Sequence, residues 1–73
     1  MSVAKTIEIT STSTSSFEDA IKKGIAKASE TIKNVKGAWV KEQKVKIENG
    51  KVSEYNVMMI ITFVLGSSEN VDE

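Results

Sequence analysis

Residues 55–65 read Tyr-Asn-Val-Met-Met-Ile-Ile-Thr-Phe-Val-Leu, the only long apolar run in the chain. Its β-branched and aromatic content predicts a strand and not a helix. Alternate residues of a strand face opposite ways. One face then carries Tyr55, Val57, Met59, Ile61, Phe63 and Leu65, and the other Asn56, Met58, Ile60, Thr62 and Val64. A half-solvated strand would show a polar residue at every second place, so both faces require cover. The sequence offers one amphipathic helix, which shields one face. Leaving Met58, Ile60 and Val64 in water would forgo roughly 1.5–3 kcal/mol each. The second face is therefore expected to be an interface between subunits.

Composition points the same way. Seventy-three residues make one small domain, of a size that usually recruits disulfides, metal or neighbouring subunits. The chain has no cysteine and no histidine, which removes disulfides, thiolate metal sites and the usual general base. Oligomerisation is the route left. Lysine supplies all ten positive charges, and three of the ten acids lie in the last five residues. Residues 1–65 thus carry a lysine surplus of three, with no guanidinium to grip phosphate, and a nucleic-acid partner is not expected. No apolar run approaches the roughly 18 residues of a membrane span, and the N-terminus lacks the apolar core of a signal peptide. A cytoplasmic location is the expectation.

Outward from the apolar run, residues 3–10 alternate loosely with Val3, Ile7 and Ile9 on one face, as a first strand would. Residues 11–16 are all Ser or Thr, and Ser15-x-x-Glu18 has the form of a capping box, with Ser13 a further candidate cap. From Phe17 the apolar residues recur at Ile21, Ile25, Ala28 and Ile32, spacing that predicts a helix of about 18 residues. Gly24 sits inside it, where glycine costs about 1 kcal/mol against alanine, and is expected to mark close packing on the sheet. A second strand spans 35–47. Asn49-Gly50 then suits a two-residue type I′ hairpin turn. With no bulge, Ile47 pairs with Val52, Gln43 with Asn56, Trp39 with Ile60 and Gly37 with Thr62. The fold class is α+β, β-α-β-β. The helix returns the chain, so an antiparallel three-stranded sheet has order 1-3-2, with the most apolar strand central. Residues 1–65 form the domain and 66–73 an acidic, frayed tail.

The register places Ala38 and Val40 on the core face with Val57 and Met59. It gathers Gly37, Trp39, Lys41 and Gln43 beside Asn56, Met58, Ile60 and Thr62 on the other. An indole with nearby amides suits a planar heterocycle, which needs a stacking plane and paired donors and acceptors for its edge. An interface anchor is the alternative role for Trp39. Catalytic groupings are missing, since no histidine activates the abundant hydroxyls and no Gly-x-Ser-x-Gly elbow is present. Glu42, Glu48 and Glu54 could chelate a hard cation or act as acid and base, but such residues more often form a solvated, salt-paired strand rim, and an ion site along the Glu42–Glu54 edge stays as an alternative. An enzyme is not expected.

Thr12-Ser13 before the helix, Val40-Lys41-Glu42-Gln43 in the Trp-bearing second strand, and Glu54-Tyr55-Asn56-Val57 opening the third resemble the dodecins. The likeness covers residues 3–65. It implies a hollow homododecamer that sequesters flavin (riboflavin, FMN or FAD) between subunits, for storage or quenching and not for redox catalysis. It further implies a strand-two Trp stacked on the flavin ring, and a Gln after the strand-three Tyr bonded to the ring's polar edge. Here the Trp position falls on Gly37, with Trp39 two residues later, and the Gln position is Asn56. The site expected from the register and the resemblance together is thus Gly37, Trp39, Gln43 and Asn56. Some dodecin-like proteins lack the Trp and are linked to other ligands, including metal ions, and some hold coenzyme A, so a shell without flavin is the alternative.

Overall fold

The structure, a computed structural model, describes residues 3–66. Of the tail expected at 66–73, all but Gly66 lies outside the described residues, as do Met1 and Ser2. The chain runs β1 (Ala4–Ser13), α1 (Phe17–Ser29), β2 (Val35–Glu48), β3 (Lys51–Val64). The three strands form one antiparallel sheet of order β1-β3-β2, as the sequence predicts.

Capping of α1 falls one residue later than the sequence suggested. Ser16 is the N-cap, its hydroxyl oxygen accepting from the Asp19 N–H at 2.9 Å, in place of the expected Ser15 and Glu18. Ser13 supports the turn from below. Its oxygen accepts from the Ser15 N–H at 2.9 Å while its hydroxyl donates to Asp19 Oδ2 at 2.6 Å. Asp19 therefore has a hydroxyl and a lysine, Lys23 at 3.0 Å, bound to its carboxylate, and both hold its pKa below the usual carboxylate value. The helix is also shorter than expected, 13 residues. It ends where Glu30 and Thr31 bond back three residues, to Lys27 and Ala28, a tightening common at helix ends. Asn34, at φ 63°, then turns the chain into β2.

The core forms where α1 crosses β1 and β3. Val57, Met59 and Ile61 of β3 and Ala20 of α1 are fully buried, with Ile7, Ile9, Phe17, Ile21, Ile25 and Val35 packed around them. Cross-strand partners Ile7–Ile61 and Ile9–Met59 bring β1 into the same layer. Phe17 meets Tyr55 edge to face at 5.1 Å. Gly24 marks close approach as expected. A Cβ there would lie 2.7 Å from Met59 Cε and 3.0 Å from Ser11 Cβ.

Two expectations fail on β2. Ala38 and Val40 do not join the core. Both are exposed, because α1 lies over β1 and β3 and leaves β2 uncovered. The plain hairpin register also breaks in the middle. The Asn49-Gly50 turn forms with φ of 54° and 75°, and Glu48–Lys51, Ile47–Val52, Trp39–Ile60 and Gly37–Thr62 pair as expected. Between them Lys41 bulges out of β2 and Ser53 out of β3, so residues 42–46 pair one place off, and a further shift follows Val35. Ser53 donates its hydroxyl to the Lys46 carbonyl at 3.2 Å, satisfying a backbone group at the irregularity. Gln43 consequently faces Val57, and Lys44 takes the expected place beside Asn56.

A candidate ligand-binding face

On β3, the side chains opposite the buried Val57, Met59 and Ile61 belong to Asn56, Met58, Ile60 and Thr62. This outer face reads across the sheet in rows. Thr12, Asn56 and Lys44 form one, Thr10, Met58 and Glu42 the next, then Glu8, Ile60 and Trp39, then Thr6, Thr62 and Gly37. Among the described residues no element covers it. Trp39 is 63% exposed.

Of the four site residues expected from the sequence, the structure brings Gly37, Trp39 and Asn56 to this face. It does not bring Gln43, which the Lys41 bulge turns to the helix side with Val57. Gly37 is next to Trp39 on the face, and a Cβ built on it would meet nothing within 4 Å. The indole therefore stands beside a shallow open notch. Lys41, from the bulge, reaches across to Glu8 at 3.5 Å, an exposed pair worth little to stability that closes one side of the Trp39 row.

Asn56 lies four residues along β3 from Ile60, the partner of Trp39, a separation of roughly 13 Å. One chain thus supplies an indole and an amide on the same face but does not converge them. A ring stacked on Trp39 and bonded at its edge by Asn56 requires two copies, each contributing part of the site. What the face can do chemically is hold a flat, partly apolar ring. Trp39 and Ile60 supply apolar surface, Asn56 and Thr12 supply hydrogen bonds, and Lys44 supplies a positive charge. Those features fit a flavin.

Two participants, Thr12 and Lys44, were not identified from sequence. Thr12 donates to Asn56 Oδ1 at 2.7 Å. Lys44 gains its place only through the bulge, which no local signal announced. A separate groove of about 700 Å³ runs between β1 and α1, lined by Ile7, Ile9, Ala28 and Ile32 and rimmed by Lys23 and Lys27. It lies on the helix side and includes none of the expected site residues. Among the described residues no three acidic side chains gather as a metal site would need, and no helix is long and apolar enough to cross a membrane.

Comparison with known proteins follows this geometry closely. The family model named Dodecin matches residues 3–66. A dodecin from Thermus thermophilus is 31% identical, covering 93% of this chain and 100% of that chain with a TM-score of 0.86. One from Streptomyces davaonensis is 27% identical over 90% and 97% of the two chains, also at 0.86. A calcium-chelating antigen from Mycobacterium tuberculosis, called calcium dodecin, is 27% identical over 94% and 99%, with a TM-score of 0.76. No curated protein matches the chain.

Proposed function

The chain belongs to the dodecin family, homo-oligomeric proteins that bind small ligands, and from that premise we propose that it is a non-enzymatic homododecamer holding a flavin between subunits. The observation that carries this reading is Trp39. An indole 63% exposed, on a sheet face that none of the described residues covers and beside a notch with no side chain, is a stacking platform. The ring sits farther along β2 than a Trp at position 37 would hold it, with Gly37 giving it room. Asn56 meets its polar edge from a second copy. Lys44, next to Asn56, favours a phosphorylated form, FMN or FAD, over riboflavin. Gln43 drops out of direct contact in this arrangement. In this reading the protein binds the ring and quenches it.

The test is a titration of FMN into the purified oligomer, followed by flavin emission. Bound flavin also colours the protein, absorbing at about 450 nm as the free cofactor does. Trp39→Ala should lose roughly 1–3 kcal/mol of binding, the range of aromatic stacking on bases, and leave any residual flavin brighter. Equal affinity and equal quenching in wild type and variant would reduce Trp39 to an interface anchor.

A second reading, a dodecin-fold shell without flavin, draws on the vacant Trp position at Gly37 and on the calcium-chelating relative. Coenzyme A or a metal ion would then be the ligand. For metal, Glu8, Glu42 and Glu54 are carboxylates on this face; Glu8 is paired with Lys41, and Glu42 and Glu54 lie four residues apart in projection on β3, opposite Met58 and Lys46 respectively. Titration with calcium and with coenzyme A, alongside FMN, separates these outcomes.

A further inference from the structure

Of the three asparagines among the described residues, Asn49 alone is followed by glycine. Asn34 precedes Val35, which packs against the core, and its carbonyl accepts from the Val64 N–H at 3.1 Å. Asn56 precedes the fully buried Val57, and its side chain is bonded to Thr12. Asn49 sits exposed at the tip of the β2–β3 hairpin. Its neighbour Gly50 has no Cβ, and one built there would meet nothing within 4 Å, so that side of the Gly50 nitrogen is open. A four-residue turn is closed by a bond between its first and last residues, here Glu48 and Lys51, which leaves the Gly50 N–H out of the ladder.

We propose that Asn49 is a site of spontaneous modification, and that its isoaspartate product dismantles the hairpin tip while the core stays folded. Once deprotonated, the Gly50 backbone nitrogen attacks Asn49 Cγ. A new C–N bond closes a five-membered succinimide, and the side-chain nitrogen leaves as ammonia. Water then opens the ring at one of its two carbonyls. Breaking the new bond gives aspartate; breaking the original peptide bond gives isoaspartate, with the main chain running through the side-chain methylene. The reaction requires the turn to open, and the tip is where opening costs least, since Ile47 and Val52 behind it stand exposed. The two products differ in effect. Aspartate suits a type I′ turn as asparagine does. Isoaspartate lengthens a two-residue loop on which the register depends, so the Glu48–Lys51 and Ile47–Val52 pairs are lost. Val57, Met59 and Ile61 lie beyond the Ser53 irregularity, packed by α1 and β1, and keep their places. None of this depends on the flavin reading.

Ageing the intact oligomer in mildly alkaline buffer, followed by peptide mapping, tests this. Asn49 should lose its amide at least about tenfold faster than Asn34 or Asn56, because only glycine leaves the attacking nitrogen unhindered. The rate should rise with hydroxide, and an isoaspartate methyltransferase should label the product at residue 49. Hydrogen exchange then reads the consequence. In the labelled fraction, backbone amides 47–52 should lose protection while 57–61 retain it. Asn49→Asp, which carries the same added charge on an ordinary backbone, should keep both segments protected. Loss at Asn49 no faster than at Asn34 and Asn56 would overturn the site. Tip amides that stay protected in the labelled fraction would overturn the account of what isoaspartate does, and so would an Asn49→Asp variant whose tip is equally exposed.

Discussion

β2 and β3 are both 14 residues long, joined by a two-residue turn and hydrogen-bonded along their length, yet they live in different environments. β3 carries Val57, Met59 and Ile61 into the core, and even its opposite face is half-buried. In β2 only Val35 escapes full exposure, and Val40, Val45 and Ile47 stand in solvent with Trp39. The contrast arises because a 13-residue helix covers about 20 Å, less than half of what a 14-residue strand spans. The helix is spent on β1 and β3. What β3 gains from its own chain, β2 does not.

The largest effect should come from breaking the β3 side. Met59→Ala removes a fully buried side chain at the centre of the core, and should cost about 2–5 kcal/mol in chemical denaturation. If the subunit is folded only within the oligomer, that loss will register as dissociation and unfolding together. Ile60→Lys comes next. It leaves the core intact and puts an ammonium on the uncovered face, where burial at an interface without a partner costs several kcal/mol per copy. Light scattering should show the oligomer fall apart, and an unchanged mass would mean that this face meets no subunit. Gly24→Ala should be milder. A gain of about 1 kcal/mol in helix propensity is offset by a Cβ lying 3.0 Å from Ser11 Cβ and 2.7 Å from Met59 Cε. The Met59 terminus can swing aside but Ser11 cannot, so a net loss of about 1 kcal/mol is expected from overpacking in thermal unfolding.

The smallest and most conditional effect is set by pH. Asp19 has its pKa lowered by the Ser13 hydroxyl first and by Lys23 second. A depressed carboxyl stabilises the fold above its unfolded pKa, near the ordinary value of 3.8, and that contribution is lost as pH falls through the lower folded value. Melting temperature should therefore fall in acid more steeply for wild type than for Asp19→Asn, and the two curves should converge well below pH 3.8. Parallel curves would show that the Ser13–Asp19 bond contributes nothing to folding. Because this device belongs to α1, it should act on the half of the molecule that holds the core and leave the β2 face unaffected.

Much of the fold was legible because it is written locally. The unbroken apolar run of β3, the 3- and 4-residue steps from Phe17 to Ile32 and the Asn49-Gly50 turn each point to one structure. The order β1-β3-β2 followed from chain direction alone. The helix end was not legible, since Ile32 keeps the apolar spacing after the helix has stopped and lines the same groove as Ile7 and Ile9. Nor was the exposure of Ala38 and Val40, which depends on which strands the helix crosses. For the candidate site the decisive loss was the bulge at Lys41. Bulges answer to strand twist and to partners on both sides, so nothing near Lys41 in the sequence distinguished it from its neighbours. Gln43 was misplaced for that reason, and Lys44 overlooked.

That bulge has a further consequence. Trp39, Val45 and Ile47 are all odd-numbered residues of one strand and would share a face in regular alternation, yet Val45 pairs with the helix-side Tyr55 and Trp39 with the outer Ile60. The exposed aromatic near the base of the hairpin and the exposed aliphatics near its tip, Val45, Ile47 and Val52, therefore look in opposite directions. A protomer with one adhesive patch is satisfied by a single neighbour, and growth stops at a twofold pair. A protomer with two, pointing apart, has a valency of at least two and stays unsaturated in any pair that uses only one of them. Such a chain either closes into a ring or shell or grows without limit, and the angle between its two patches decides which.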